Sequence, residues 1–170
     1  MKVAESVADP LKYYKNNVSA TVSLLQAMNK YNVKKFCFSS TAALFGLPER
    51  IPIHPDDRKL PINPYGDTKL VVENMLKSCD IAYGIKYVCL RYFNACGAHQ
   101  NGVLGEDHSP ESHLLPIVLQ VPRGMREKVS IFGNDYNTPD GMLLFIKGLV
   151  FAIMFMSVIW HRRISRLWIS

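Results

Sequence analysis

A phenol and an ammonium group lie four residues apart in the segment Tyr65-Gly66-Asp67-Thr68-Lys69. A hydroxyl-rich segment, Phe38-Ser39-Ser40-Thr41, precedes it along the chain. The side chains of Thr41, Tyr65 and Lys69 are the groups needed to move a proton while a hydride passes to a nicotinamide. The pattern therefore indicates redox chemistry on an alcohol.

A second pair with the same spacing, Tyr31 and Lys35, is a competing match. Between these two residues, Asn32-Val33 predicts the end of a helix that runs into a strand. Only helical geometry places residues four apart on one face. We therefore expect Tyr65 and Lys69, and not the second pair, to share a helix face.

The residues around Tyr65 predict that helix. Asn63-Pro64 is a helix start signal, with proline at the first turn. Apolar residues follow with helical spacing at Leu70, Val71, Val72, Met75 and Leu76. The helix is expected to end near Ser78 and to place Lys69 one turn after Tyr65.

Strands are predicted on both sides of this helix, at Lys34 to Ser39 and at Lys86 to Arg91, with a proline-rich connection from Pro48 to Pro64. Strand, helix and strand at this spacing predict a crossover in an α/β fold, with a parallel sheet covered by helices. Ligands of such sheets bind beyond the carboxyl ends of the strands. Thr41 and Phe93-Asn94 both follow strand ends, so they should converge there.

The flanking regions are predicted from simpler signals. Asp9-Pro10 starts a helix that is expected to end near Asn29. Its buried face is predicted to contain Leu11, Tyr14, Val18, Val22, Leu25 and Met28. After Asn94 the chain is rich in loops, with an apolar segment at Leu114 to Val121 and a short strand predicted at Val129 to Phe132.

Composition limits the partners and the compartment. The 170 residues carry a net charge of +6, but the basic residues are scattered except near the C-terminus, so no nucleic-acid partner is expected. The four cysteines, Cys37, Cys79, Cys89 and Cys96, lack CxxC spacing and are expected to be reduced thiols of a cytoplasmic protein. The five histidines are dispersed, so no metal site is expected.

The segment from Met142 to Trp160 carries one charge, Lys147, and has the length of a membrane span. Basic residues behind it favour a cytoplasmic C-terminus, which would put the preceding domain outside the cytosol although no signal peptide is visible. A tail anchor of opposite orientation, a buried helix and a non-native tail remain alternatives. Membrane association through this tail is therefore the alternative to a cytoplasmic location.

From Glu5 to Gly141 the chain resembles the extended short-chain dehydrogenase/reductase family, and within it the nucleotide-sugar epimerases. The matching motifs are Glu5-Ser6-Val7, Pro10-Leu11-Lys12-Tyr13-Tyr14, Asn16-Asn17-Val18, Phe38-Ser39-Ser40-Thr41, Asn63-Pro64-Tyr65-Gly66, Leu90-Arg91-Tyr92-Phe93-Asn94, Gly105-Glu106-Asp107 and Ile131-Phe132-Gly133-Asn134-Asp135-Tyr136. Their order and spacing carry the resemblance. It implies a partial Rossmann-like sheet, with the C-terminal half of an NAD-binding domain at 1–94, part of a nucleotide-sugar-binding region at 95–141 and a divergent tail at 142–170.

The resemblance implies epimerisation at C4 of a UDP-hexose through a transient 4-keto sugar, which would interconvert UDP-glucose and UDP-galactose in galactose metabolism. NAD would take the C4 hydride while Tyr65 removes the 4-hydroxyl proton. Lys69 would stabilise the phenolate and hold the nicotinamide ribose, and Thr41 would bridge the sugar hydroxyl and Tyr65. Family members of full length are expected to be homodimers.

Further positions carry over by motif. Asn17 and Phe93 match residues that contact the cofactor, and Asn94 matches one that contacts the substrate. The residues that match UDP-binding stretches are His113, Leu114, Ser130, Ile131 and Phe132. Each has a structural alternative: Thr41 as the cap of a turn, Asn17 as part of a helix surface, Phe93 in the core and His113 on a helix surface.

Alternatives within the family are weighed from the residues after Thr41. Related 4,6-dehydratases place acidic residues there, whereas Ala42 and Ala43 cannot transfer a proton, so dehydration is disfavoured. A UDP-pentose 4-epimerase uses the same groups and stays open.

The family's GxxGxxG loop does not occur in the sequence, and Met142-Leu143-Leu144-Phe145 stands where the family continues with Arg-Asp-Tyr. A non-catalytic fragment is therefore the competing hypothesis. We expect this chain alone to bind NAD weakly or not at all.

Overall fold

A computed structural model describes residues 3–94 and 97–130 of the chain. It divides the chain into two compact units, Met1–Phe93 and Asn94–Ser170. The first unit contains a small parallel sheet covered by helices, and the described part of the second contains loops and one short helix. The predicted segment at 142–160 lies outside the described residues.

The sheet of the first unit has two parallel strands, β1 (Lys35–Thr41) and β2 (Lys86–Tyr92). Lys35 pairs with Lys86, and the register continues to Thr41 opposite Tyr92. Helix α4 (Pro64–Tyr83) connects the two strands, so the predicted crossover is confirmed. The first strand is longer than predicted, and Thr41 is its last residue.

Helix α4 has a defined start and end. Its cap residue Asn63 accepts a hydrogen bond from the Gly66 backbone N–H at 2.8 Å, and Pro64 occupies the first turn as predicted. The helix ends at Gly84, whose φ of 67° is the left-handed conformation that glycine adopts readily. It therefore runs past Ser78, where the sequence predicted its end.

The core of the first unit lies between helix α3 (Ala20–Lys30), helix α4 and the sheet. Its buried residues are Leu25, Met28, Phe38, Val72, Leu76 and Ile85. They come from both helices, from β1 and from the residue before β2, so the core fixes α4 against the sheet. Burying one such side chain contributes about 2 kcal/mol.

The N-terminal region is helical but not one regular helix. The sequence did not predict α1 (Val3–Ala8), and α2 (Pro10–Tyr13) continues through a π-helix at Tyr14–Ser19 into α3. A π-turn adds one residue to a helical turn and rotates the face that follows. The helix spacing assumed for the predicted buried face is interrupted there.

The prediction of which residues form the buried face is therefore partly wrong. Leu11 is 78% exposed and Val22 is 38% exposed, whereas Leu25 and Met28 are buried as expected. Tyr13 is buried instead of Leu11. The π-turn after Tyr13 explains why no single 3.6-residue stripe describes both halves of the segment.

In the second unit, helix α5 (Leu114–Gln120) forms most of the predicted apolar segment. The predicted strand at Val129 to Phe132 does not form at Val129 and Ser130, and its remaining two residues lie outside the described part. Of the helices that the structure describes, none is long and apolar enough to cross a membrane. Cys37, Cys79 and Cys89 carry free thiols.

Candidate active site

Tyr65 is the second residue of α4, and Lys69 follows one turn later. The Lys69 Nζ lies 5.9 Å from the centre of the Tyr65 ring. Tyr31, in contrast, is the cap residue after α3, and Lys35 begins β1. The expected difference between the two pairs is confirmed, because only Tyr65 and Lys69 share a helix.

Lys69 is held in a buried position and is only 8% exposed. Its Nζ donates a hydrogen bond to the Ser39 backbone carbonyl at 2.9 Å and lies 4.8 Å from the centre of the Phe38 ring. Both partners belong to β1, so the ammonium of a helix residue is fixed at the end of a strand. Burial lowers the pKa of Lys69, because the charged form loses its hydration.

Thr41 is buried at the end of β1. Its Oγ1 accepts a hydrogen bond from the Ala43 backbone N–H at 3.2 Å and caps a 3₁₀ helix at Ala42–Phe45. The capping alternative drawn from the sequence is thus observed. Across the described ranges, no acceptor takes the O–H of Thr41, so capping leaves this donor for a ligand.

Tyr65 is oriented by residues that precede the sheet in the chain. Its backbone N–H donates to Ser6 Oγ at 3.2 Å, and its ring meets the Tyr13 ring edge-on at 6.3 Å. The Tyr13 hydroxyl donates to Glu5 Oε2 at 2.9 Å. The sequence showed the Glu5-Ser6 motif without revealing this supporting role.

A close backbone approach places the start of α4 beside the residues that follow Thr41. A Cβ atom on Gly66 would lie 2.7 Å from the Ala43 carbonyl oxygen, which is too close for a real side chain. Glycine is therefore required next to Tyr65 for this packing.

A buried ion pair links α4 to both strands. Glu73 Oε1 accepts hydrogen bonds from Ser40 Oγ at 2.7 Å and from Arg91 Nε at 2.9 Å, and Oε2 accepts one from Arg91 at 2.8 Å. Burial raises the pKa of Glu73, but the hydrogen bonds from Arg91 and Ser40 outweigh it, so this pKa lies below its usual value. Sequence reasoning missed both Glu73 and Arg91 as members of the site.

Two further residues predicted to contact the cofactor, Asn17 and Phe93, also lie in the first unit. Asn17 sits in the π-helix, and its Nδ2 donates to Thr68 Oγ1 of α4 at 2.9 Å. This contact supports the helix-surface role named as its alternative. Phe93 follows β2 and is 54% exposed, so the core alternative for Phe93 is wrong.

Apart from Thr41 and Tyr65, the residues predicted to bind substrate belong to the second unit. Asn94 and Ser130 are exposed, Leu114 is buried, and His113 is the residue before α5. Ile131 and Phe132 lie outside the described residues.

The expectation that the histidines are too dispersed to form a ligand cluster is wrong for one segment. His108 and His113 lie close to Glu106 and Glu111, and one ligand atom from each lies within 4.8 Å of the others. The spacing Glu-x-His-x-x-Glu-x-His was visible in the sequence. Histidine spacing alone does not reveal this cluster, because two of its four members are carboxylates.

Residues 1–157 match the NAD dependent epimerase/dehydratase family, and the chain belongs to this family. Over 139 residues the chain is 60% identical to the UDP-glucose 4-epimerase of Halalkalibacterium halodurans, covering 82% of this chain and 42% of the relative. The chain therefore spans less than half the length of this relative.

Two solved structures are similar in sequence and fold. The Brucella ovis UDP-glucose 4-epimerase in complex with NAD has a TM-score of 0.78 and 49% identity, over 82% of this chain and 43% of that one. The Bifidobacterium longum UDP-glucose 4-epimerase in complex with NAD+ and UDP has a TM-score of 0.73 and 44% identity, over 82% and 42%. The fold of this chain is thus a partial Rossmann-like α/β fold.

Proposed function

We propose that this chain supplies the proton-transfer residues of an NAD-dependent UDP-sugar 4-epimerase, which interconverts UDP-glucose and UDP-galactose in galactose metabolism. One observation carries the proposal. The buried ammonium of Lys69 is fixed beside the ring of Tyr65, at the end of the strand that presents Thr41. The chain spans 42% of its relative, so the activity is assigned to a protein that includes the rest of the fold.

In the proposed reaction, Tyr65 accepts the proton of the sugar 4-hydroxyl. An ordinary phenol has a pKa near 10 and is a weak base at neutral pH. A positive charge nearby favours the phenolate, and its effect is stronger where water is excluded. Lys69 supplies that charge, and Thr41 donates its O–H to bridge the sugar hydroxyl and Tyr65.

The groups at this site suit the nicotinamide-ribose end of NAD. A lysine ammonium has three N–H donors, and within the described residues Lys69 gives one, to the Ser39 carbonyl. The other donors suit ribose hydroxyls. When bound, NAD+ accepts a hydride from C4 and returns it to the opposite face of the sugar. The residues proposed to hold NAD are Asn17, Thr41, Tyr65, Lys69 and Phe93.

The UDP-sugar is proposed to contact residues of the second unit. These residues are Asn94, His113, Leu114, Ser130, Ile131 and Phe132. Exposure of Asn94 and Ser130 agrees with a ligand-contacting role. The relative from Bifidobacterium longum was crystallised with UDP, which supports this class of ligand.

The test is a chimera in which the matching 139-residue segment of the Halalkalibacterium halodurans relative is replaced by that of this chain. We expect the chimera to interconvert UDP-glucose and UDP-galactose. Tyr65→Phe should lower kcat by roughly 10²- to 10⁴-fold, the usual contribution of a positioned acid–base group. Thr41→Val should lower kcat while Thr41→Ser retains it, because serine keeps the hydroxyl.

The second Tyr-x-x-x-Lys pair gives a matched control. Tyr31→Phe and Lys35→Met change the same residue types outside the site and should leave kcat of the chimera unchanged. An inactive but NAD-retaining chimera, or equal effects of Tyr65→Phe and Tyr31→Phe, would contradict the proposed role of Tyr65.

Self-association into a homodimer is proposed for the full-length protein. A groove of about 560 Å³ is lined by residues of α3 and α4, among them Val22, Val71 and Met75. Its apolar lining suits a second copy of the chain. Val22→Glu should shift the mass measured by light scattering from dimer to monomer.

A cytoplasmic location is proposed from the free thiols of Cys37, Cys79 and Cys89. Carbonate extraction of the expressed chain tests the alternative that 142–160 inserts into a membrane. Release of the chain into the supernatant is the expected result.

A further inference from the structure

We propose that the loop from Glu106 to His113 binds a divalent transition-metal ion of the zinc class. The ligands are one ring nitrogen each of His108 and His113 and one carboxylate oxygen each of Glu106 and Glu111. These four atoms lie within 4.8 Å of one another. The site belongs to the second unit and shares His113 with the proposed UDP-sugar contacts, but its binding of a metal can be measured without substrate or NAD.

The ligand set has the chemistry of a zinc site. Imidazole nitrogen and carboxylate oxygen bind Zn²⁺ at about 2.0 to 2.2 Å, usually in a tetrahedral arrangement. In such an arrangement the ligand atoms are roughly 3.4 Å apart, so the widest pair in this loop must approach by about 1.4 Å. His108 is half-exposed and lies in a loop, so its side chain has room to move.

The ligands already converge on one carboxylate. Glu106 Oε1 lies 3.0 Å from His108 Nδ1 and forms a short hydrogen bond with His113 Nδ1. The two imidazole rings stand edge to face, with centres 4.9 Å apart. Metal coordination would replace the hydrogen bond between His113 and Glu106 with two bonds to the same ion, and the proton of that hydrogen bond would move to the other ring nitrogen of His113 or to water.

Charge also favours a cation. The side chains of Glu106 and Glu111 are only 17% and 8% exposed. In the part of the chain that the structure covers, histidines are the only basic side chains within ion-pair distance of either carboxylate. A divalent cation carries the charge that balances two carboxylates.

Glu111 is oriented by the backbone. Its Oε1 accepts hydrogen bonds from the backbone N–H groups of Ser112 at 2.7 Å and His113 at 2.8 Å. The same two contacts fix its position beside His113.

The test is a titration of the complete 170-residue chain, prepared without a histidine tag, with Co²⁺ and then Zn²⁺. We expect a saturable visible absorption band from one bound Co²⁺, which Zn²⁺ abolishes. His108→Ala and His113→Ala should each raise the Kd at least about tenfold. His54→Ala and His99→Ala change histidines elsewhere in the chain and should leave the Kd unchanged.

Several outcomes would overturn the proposal. These are the absence of saturable binding, an unchanged Kd in the His108→Ala/His113→Ala double variant, and a near-ultraviolet cobalt–thiolate band showing that cysteines bind the metal. The far-ultraviolet circular dichroism of each variant shows whether it is folded. Glu111→Gln supplies a second test, since it keeps the side-chain shape while removing the anionic ligand, and it should also raise the Kd.

Discussion

Arg91 of β2 donates hydrogen bonds to both carboxylate oxygens of Glu73 in α4, at 2.9 and 2.8 Å. The same guanidinium donates to the Pro55 carbonyl at 2.9 Å, and the same carboxylate accepts from Ser40. One ion pair therefore ties the helix of Tyr65 to both strands and to the long connection before the helix.

Removal of Glu73 should destabilise the chain strongly. Glu73→Ala leaves the partly buried Arg91, whose side chain is 24% exposed, without its anionic partner. Removing one partner of a fully buried pair costs about 3 to 5 kcal/mol, and the partial exposure of Arg91 lowers the expected loss to about 2 kcal/mol. Urea unfolding followed by circular dichroism measures the free energy of unfolding.

An exposed ion pair is the matched control for this prediction. Lys86 and Asp80 lie 2.6 Å apart, with the Lys86 side chain 72% exposed. Asp80→Ala should cost less than about 1 kcal/mol. Equal losses of unfolding free energy in Glu73→Ala and Asp80→Ala would show that the pair of Glu73 and Arg91 stabilises the chain no more than an exposed ion pair.

The buried Lys69 should make stability depend on alkaline pH. Its pKa in the folded chain lies below the usual 10.5, so between these two pKa values the unfolded chain binds more protons. Stability relative to the Lys69→Met variant therefore rises with pH in that window and is constant below it. Unfolding of both proteins from pH 7 to pH 10.5 measures the difference.

The pKa shift of Lys12 makes stability change with pH in the opposite direction. A hydrogen bond with Glu5 raises the pKa of Lys12, so its contribution is present below 10.5 and is lost as pH rises through the folded pKa. Solvent screening makes this effect small. If the difference in unfolding free energy between the parent chain and Lys69→Met did not change with pH, burial would not lower the pKa of Lys69.

Gly66→Ala should destabilise the chain although alanine normally favours a helix over glycine. The added Cβ meets the Ala43 carbonyl oxygen at 2.7 Å, and such overpacking typically costs about 1 to 3 kcal/mol. Gly105→Ala is the control, because its Cβ meets only Ala98, at 3.6 Å. A more stable Gly66→Ala variant would contradict the close packing of α4 on the turn after Thr41.

Cys89 should resist alkylation in the folded chain. Burial raises the pKa of its thiol from 9.0 to about 12, which reduces the thiolate fraction on the order of a thousandfold. Timed iodoacetamide labelling at pH 8, followed by peptide mass spectrometry, measures the rate at Cys89. Labelling in urea provides the reference rate, and an equal rate without urea would contradict the burial.

Short sequence signals, each a few residues long, predicted the helix and strands that position the site. Asn63-Pro64 fixed the start of α4, and Asn32-Val33 separated the competing tyrosine–lysine pair. Both are local capping or breaking effects that need no knowledge of the rest of the fold. The crossover followed from the order of the elements, so the position of Lys69 relative to Tyr65 was predictable.

Contacts between distant residues were not predictable in the same way. Glu73 and Arg91 meet because α4 packs on the sheet and brings Glu73 beside Arg91 of β2, and no spacing in the sequence encodes that packing. The π-turn at Tyr14–Ser19 likewise lacks a residue signature. It is accompanied by contacts of that segment with α4, from Tyr14 to Asp67 and from Asn17 to Thr68.

Because of the π-turn, the segment from Pro10 to Lys30 has two buried faces, one before and one after the turn, that are rotated relative to each other about the helix axis. One additional residue in a turn rotates the following α-helix by about 100° relative to the preceding one. A single-residue deletion between Tyr14 and Ser19 would restore one continuous phase, yet it would turn either Tyr13 or Leu25 away from the protein interior. The length of this short stretch, more than the identity of its residues, is therefore constrained by the fold.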